Sequence, residues 1–247
     1  MITDIRLAGQ QLAAPRFDTP KKLVSWMGAI QAQDYAMARW AVGIRLKSAT
    51  ARSVGEAFSR GEILRTHVMR PTWHLVAAED IRWMLKLSAR RIRSANESLA
   101  KGRQLELTEQ LHYRCDRLLE KMLEGNRNLT KQQIGEELNR QGIAADTPRL
   151  TRLLMRAETE AVVCSGPFSG GRQTYALLEE RVPPVPELHP DEALAKLATA
   201  YFRSHSPASM QDFVWWSGLS VTEARHSVGL IGRSLTAKRF GQRELFV

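Results

Sequence analysis

The chain has 247 residues, with 36 Lys and Arg against 26 Asp and Glu and a formal net charge of +10. That surplus points to a polyanionic partner, nucleic acid ahead of an anionic membrane surface. No apolar run reaches the roughly 18 residues needed to cross a bilayer, no signal-peptide core is present, and the two isolated cysteines, Cys115 and Cys164, read as reduced packing residues of a cytoplasmic protein.

In chain order, Thr19-Pro20 opens a helix, and Leu23 to Trp40 is apolar except for two amides one residue apart, Gln31 and Gln33, followed at once by Asp34. An amide buried without a partner costs about 1–3 kcal/mol, so backbone, water or a ligand must satisfy this pair. On a regular helix residues 31 and 33 point about 200° apart, and Gln31 neighbours Asp34 instead. The two glutamines can act together only where the backbone bends or leaves the helix.

Ser53 to Ser59 reads as a short helix, and Ile63–His67 with Trp73–Val76 as a hairpin around Arg70-Pro71-Thr72, the wing of a first unit. His67 and His74 lie in this hairpin without the further ligands that zinc needs, and read as packing or phosphate-facing residues, His74 beside a cleft being the outside alternative. A long helical segment from Glu79 to about Leu123, interrupted near Gly102, carries Arg82, Lys86, Arg90 and Arg93 at helical spacing. They form a phosphate-binding stripe or a merely solvated one, and spacing alone does not choose.

A second unit begins with the capping box Thr130-Lys-Gln-Gln133, continues past Gly142 into a helix from Asp146 to Ala157, and closes with strands around a Gly-rich turn from Ser165 to Gly171. Helix, turn, helix and hairpin is the winged-helix order. Arg149, Arg152 and Arg156 share one face of its second helix and are candidates for DNA contact. Arg181 to Pro190 is a proline-rich linker. A third unit then repeats the pattern, with caps at Ser209 and Ser220, a break at Gly218 and two strands around Gly241. The fold expected is mainly α with small β-hairpins, three tandem winged helices over residues 1–100, 101–182 and 183–247, the last incomplete. Trp26, Trp40, Trp83, Trp215 and Trp216 are expected in the core. Trp73 is also read as core, with a wedge against a base as the alternative.

Three motifs carry a family resemblance. Gly28-Ala-Ile-Gln-Ala-Gln-Asp-Tyr-Ala-Met-Ala-Arg-Trp40 resembles the signature of the winged-helix DNA glycosylases of the AlkZ/YcaQ type, Leu64 to Val76 is similar to their Arg-Gly-Thr-(Leu/Trp)-His hairpin with Pro71 in place of the usual glycine, and Ser206 to Leu219 looks like the start of their third winged helix. The resemblance implies a C-shaped trio of winged helices around double-stranded DNA, excising N7-alkylated purines and in some members unhooking interstrand crosslinks. Its Gln-hydrophobic-Gln catalytic motif maps onto Gln31, Ala32 and Gln33. Members continue beyond the third-unit strand on which this chain stops, so a C-terminally shortened member is expected.

The expected function is therefore a cofactor-independent, metal-free bacterial DNA glycosylase, monomeric and nucleoid-associated. Gln31 and Gln33 are its catalytic residues, with Asp34 as the fallback. Arg65, Arg70, His74, Arg82, Lys86, Arg90, Arg149, Arg152, Arg156 and Arg172 are the candidate DNA contacts. The alternative is a non-enzymatic winged-helix regulator.

Overall fold

The computed structural model describes residues 2–247. The chain is mainly helical with small antiparallel sheets. The first elements are α1 (Ile2–Gly9), α2 (Pro20–Met27), β1 (Ile30–Gln31), α3 (Tyr35–Gly43), α4 (Ala51–Ser59), β2 (Ile63–His67) and β3 (Trp73–Ala77). Next come α5 (Ile81–Gly102), α6 (Glu109–Leu123), β4 (Leu129–Thr130), α7 (Lys131–Arg140), α8 (Thr147–Thr159), β5 (Val163–Ser165), β6 (Thr174–Leu177) and α9 (Leu178–Arg181). The last are α10 (Pro190–His205), α11 (Met210–Ser217), α12 (Val221–Leu230), β7 (Ala237–Phe240) and β8 (Arg243–Phe246).

Local chemistry starts most of these helices. Side-chain oxygens of Thr19, Thr130, Asp146, Ser209 and Ser220 accept backbone N–H bonds in the first turn, and Pro20 and Pro148 occupy the first helical positions. The segment from Glu79 to Leu123 is two helices, because α5 ends at Gly102 and Thr108 caps a new one. The α10 helix, which follows the prolines directly, is central to the packing.

The sheets run β1-β3-β2, β4-β6-β5 and β7-β8. The first is covered on both faces. Ile63 and Leu75 meet Leu23, Val24 and Phe58 of α2 and α4 on one side, while Leu64 and Val76 join α5, α10 and α11 on the other. The hairpin that the sequence pattern reads as the wing of the first unit is present as β2 and β3. With every residue from Leu75 to Ala77 fully buried, the pair lies at the centre of a layered core. Gly218 ties that core to α11: its φ is 70°, and a Cβ there would meet the Met69 carbonyl oxygen at 2.6 Å, so glycine is required twice over.

Two tryptophans expected in the core are outside it. Trp40 is 60% and Trp215 69% exposed. Helical spacing placed them on apolar faces, but no element packs over those faces.

Candidate active site

The glutamines are not on a helix. After α2 ends at Gly28, the chain enters β1, which pairs Ile30 with Leu75 and Gln31 with His74. The ladder continues with Ala32 N–H donating to the Trp73 carbonyl at 2.7 Å. Two further bonds are then diverted. Arg65 Nε takes the Ala32 carbonyl at 2.9 Å, and the Trp73 N–H donates to Gln33 Oε1 at 3.2 Å.

β1 ends at Gln31 and the chain bends at Gln33, and exposure alternates over the three residues, with Gln31 and Gln33 exposed and Ala32 fully buried between them. The 200° separation of a helix does not apply. Both amides are exposed, so no burial penalty obliges them to find protein partners. A backbone N–H can only donate, which fixes the Gln33 oxygen toward Trp73. Its NH2, and the whole Gln31 amide, have no partner among the described residues. Asp34 caps α3, its Oδ1 accepting the Met37 N–H at 3.1 Å, while Oδ2 has no partner among the described residues.

His74 stands directly across the ladder from Gln31 and is 2% exposed. Its Nδ1 lies 2.8 Å from the Thr72 carbonyl, so it carries the hydrogen and Nε2 is the acceptor. Burial pushes its pKa down to about 4 against the Thr72 bond, with the Arg70 charge adding to the fall. The ring is neutral near pH 7.

Arg65 holds the strand in place. Besides Ala32 it donates to the Gln33 carbonyl at 3.0 Å and to Gln173 Oε1 at 2.5 Å, and its guanidinium lies 4.6 Å over the Trp73 ring. Its own N–H donates to Ser165 Oγ at 2.9 Å. Phe168 stacks on Tyr35 at 4.5 Å, and Glu158 Oε2, wholly buried, sits 2.6 Å from His67 Nδ1, whose ring packs at 4.0 Å from Trp73. Thus β5, β6 and α8 brace the glutamine strand from behind. Sequence reading missed Glu158, Ser165, Phe168 and Gln173, and no local pattern marks them, since all lie about a hundred or more residues from what they hold.

A family model described as DNA glycosylase AlkZ-like matches residues 24–247. The chain belongs to this family of DNA glycosylases. Membership makes it a hydrolase acting on DNA and sets the non-enzymatic regulator aside. Among solved structures, the Streptomyces sahachiroi DNA glycosylase AlkZ is similar over 100% of this chain and 68% of its own, with a TM-score of 0.74 and 22% identity, which shows a shared fold. No curated protein matches the sequence significantly.

The other candidate cations of this AlkZ-like glycosylase are spread out. Arg70 is half-buried in the β2–β3 turn, its side chain against Gly218, while Arg172, exposed on the Gly-rich turn, donates to Gln132 at 3.1 Å. The face of Arg149, Arg152 and Arg156 is not a free cationic stripe. Arg156 is 7% exposed, bound through both Nη atoms by Glu109 and through Nε by Glu160, and Arg149 reaches the Glu106 carbonyl and Asp146. On α5, Arg82, Lys86 and Arg93 pair with Glu179, Glu187 and Glu160, whereas Arg90 is exposed and forms no ion pair among the described residues, its charge felt only at a distance by Glu223. Arg82 and Lys86 line a cleft of about 700 Å³ beneath the proline segment, whose lining includes neither glutamine. No group of three or more His, Cys, Asp or Glu able to hold a metal ion occurs among the described residues, and no helix there is long and apolar enough to cross a membrane.

Proposed function

We propose that this glycosylase hydrolyses the N-glycosidic bond of N7-alkylated purines in duplex DNA, with Gln31 and Gln33 holding the attacking water. The observation that carries the reading is the pair of exposed amides flanking a buried Ala32, Gln31 at the end of β1 and Gln33 in the bend that follows, the latter with its oxygen already committed. Gln31 accepts a hydrogen bond from the water through its carbonyl, and Gln33 donates through its NH2 to the water or the sugar.

An amide has no useful basicity, so this arrangement suits a substrate that needs little help. An N7-alkylated purine is cationic. When its bond to C1′ breaks, the bonding electrons neutralise the departing base, and no general acid is required. Water then adds to the electron-poor C1′ and its proton passes to solvent. The protein contributes position, bringing a weak nucleophile to within reach of a reactive centre. A neutral His74 beside Gln31 on the neighbouring strand agrees with a site that stabilises no leaving-group anion.

Around this site we read the chain as three winged-helix units, residues 1–100, 101–182 and 183–247, cupping DNA as a nucleoid-associated monomer, with interstrand crosslinks of the same N7 chemistry as further substrates. Arg70, Arg90, Arg152 and Arg172, which pair with no carboxylate among the described residues, are assigned to phosphates. Arg65 and Arg156 are assigned to holding the protein together. The test is base release from a duplex carrying N7-methylguanine by the wild-type protein and by Gln31→Ala and Gln33→Ala. Absence of release by the wild type overturns the lesion class, and undiminished release by both variants overturns the glutamine assignment.

A further inference from the structure

An apolar ridge begins immediately after the glutamine strand. On α3 and its C-cap, Met37, Trp40 and Ile44 are 58%, 60% and 37% exposed, and their spacing of three and four residues puts them on one face. The opposite face carries Ala38 and Val42, both buried in the core with Leu23 and Phe58. Single exposed apolar side chains are ordinary, but three stacked on consecutive turns form a contiguous patch that a folded chain ordinarily covers.

The position of the ridge says what covers it. Asp34, the N-cap of α3, directly follows Gln33, and Trp40 lies about 9 Å farther along the helix at 1.5 Å per residue. The ridge therefore lies on the helix that starts beside Gln33. The flanking charge fits a polyanion. Arg39 on α3, its guanidinium over the Tyr35 ring, and Arg52, exposed on the adjoining α4, have no carboxylate partner among the described residues, in contrast to the neutralised cations of α5 and α8. An exposed indole on α3, with guanidinium groups free of carboxylates on α3 and on the adjoining α4, is chemistry for a nucleotide, whose base offers a π-face and whose phosphate a charge.

We propose that the Met37–Trp40–Ile44 ridge is a DNA-contact surface in which Trp40 packs against an unstacked base beside the lesion, with Arg39 and Arg52 on the adjacent phosphates. The proposal rests on the glutamine strand being the reaction centre. It assigns the ridge a different task, gripping the distorted duplex while the glutamines serve the bond.

The test is equilibrium binding of the full chain to undamaged duplex and to duplex with a single abasic site, which requires no catalysis, alongside kcat and KM on N7-methylguanine duplex. Trp40→Ala is expected to weaken binding to the abasic duplex at least about fivefold, the lower end of what base–aromatic stacking supplies, and to raise KM more than it lowers kcat. Trp40→Tyr is expected to restore most of the loss, and Met37→Ser to weaken binding in the same direction. Since Trp40 is exposed, thermal unfolding of each variant should match the wild type. Unchanged affinity in a folded Trp40→Ala overturns the proposal. So does a wild-type dimer that Trp40→Ala dissociates, because a second copy then covers the ridge. Failure of the glutamine reading appears separately, as full activity in Gln31→Ala and Gln33→Ala, and leaves the binding data standing.

Discussion

Arg65 Nη2 donates to the backbone carbonyl of Gln33 at 3.0 Å, so the residue that holds the glutamine strand comes from β2, more than thirty positions later in the chain. The same guanidinium reaches Ala32 and Gln173, a three-way fork that a lysine ammonium cannot reproduce. Arg65→Lys is expected to lower kcat for base release about ten- to a hundredfold while DNA affinity stays within about twofold. Arg65→Ala is expected to lose a further 2–4 kcal/mol of stability, the sum of lost charge-assisted bonds and packing on Trp73. Single-turnover rates and urea unfolding separate the two effects. A loss confined to DNA affinity would return Arg65 to the phosphate-contact set.

Gln31 and Gln33 differ in what their loss leaves behind. Gln31→Ala removes an amide with no protein partner, so release should fall about a hundredfold, the low end for a positioned group, with stability unchanged. Gln33→Ala also strips the Trp73 N–H of its acceptor and should cost about 1 kcal/mol in unfolding free energy as well as activity. Parallel kinetic and denaturation measurements on the two variants check this asymmetry.

The buried pair of His67 and Glu158 joins β2 to α8. Glu158→Ala leaves the ring, and the Glu158-bound His67 N–H, facing an empty apolar site, for an expected loss of about 3–5 kcal/mol. Glu158→Gln keeps an acceptor and should lose less than half as much. Urea midpoints at pH 7 read both values.

His74 makes stability depend on pH in a defined window. Its pKa is about 4 folded and 6.5 unfolded, so between those values the unfolded chain binds the extra proton. Stability therefore rises with pH across the window, is complete above about 6.5, and is reduced by up to about 3 kcal/mol at pH 4. His205, also depressed to about 4 by burial, acts in the same direction. Denaturation at pH 7.5 and pH 5 should show the slope, and His74→Gln should flatten it.

Two arginines test where the duplex lies. Arg156 is enclosed by Glu109 and Glu160, whereas Arg90 is exposed and unpaired with any carboxylate among the described residues. Arg156→Ala should reduce stability and leave the salt dependence of DNA binding unchanged. Arg90→Ala should reduce the slope of log K against log salt by about one and leave stability alone. Titrations between 50 and 200 mM salt provide the comparison.

Sequence alone determined the features that depend on neighbouring residues. Caps at Thr19, Thr130, Asp146, Ser209 and Ser220, the break at Gly218 and the strands beside Arg70-Pro71-Thr72 follow from a few adjacent side chains competing for backbone hydrogen bonds. The Gln-Ala-Gln motif was visible for the same reason, as a spacing. Its geometry was not. Whether the pair sits on a helix was decided by β3, whose ladder draws Ile30 and Gln31 into extended backbone more than forty residues ahead of their partners and leaves Gln33 in the bend that follows. Charge misled in a similar way. A stripe of arginines at helical spacing looks the same whether water or carboxylates face it, and only the approach of Glu109, Glu160, Glu179 and Glu187 shows which cations are spent. Tertiary structure also exposed Trp40, since hydrophobicity predicts what a side chain prefers and packing decides what is available to cover it.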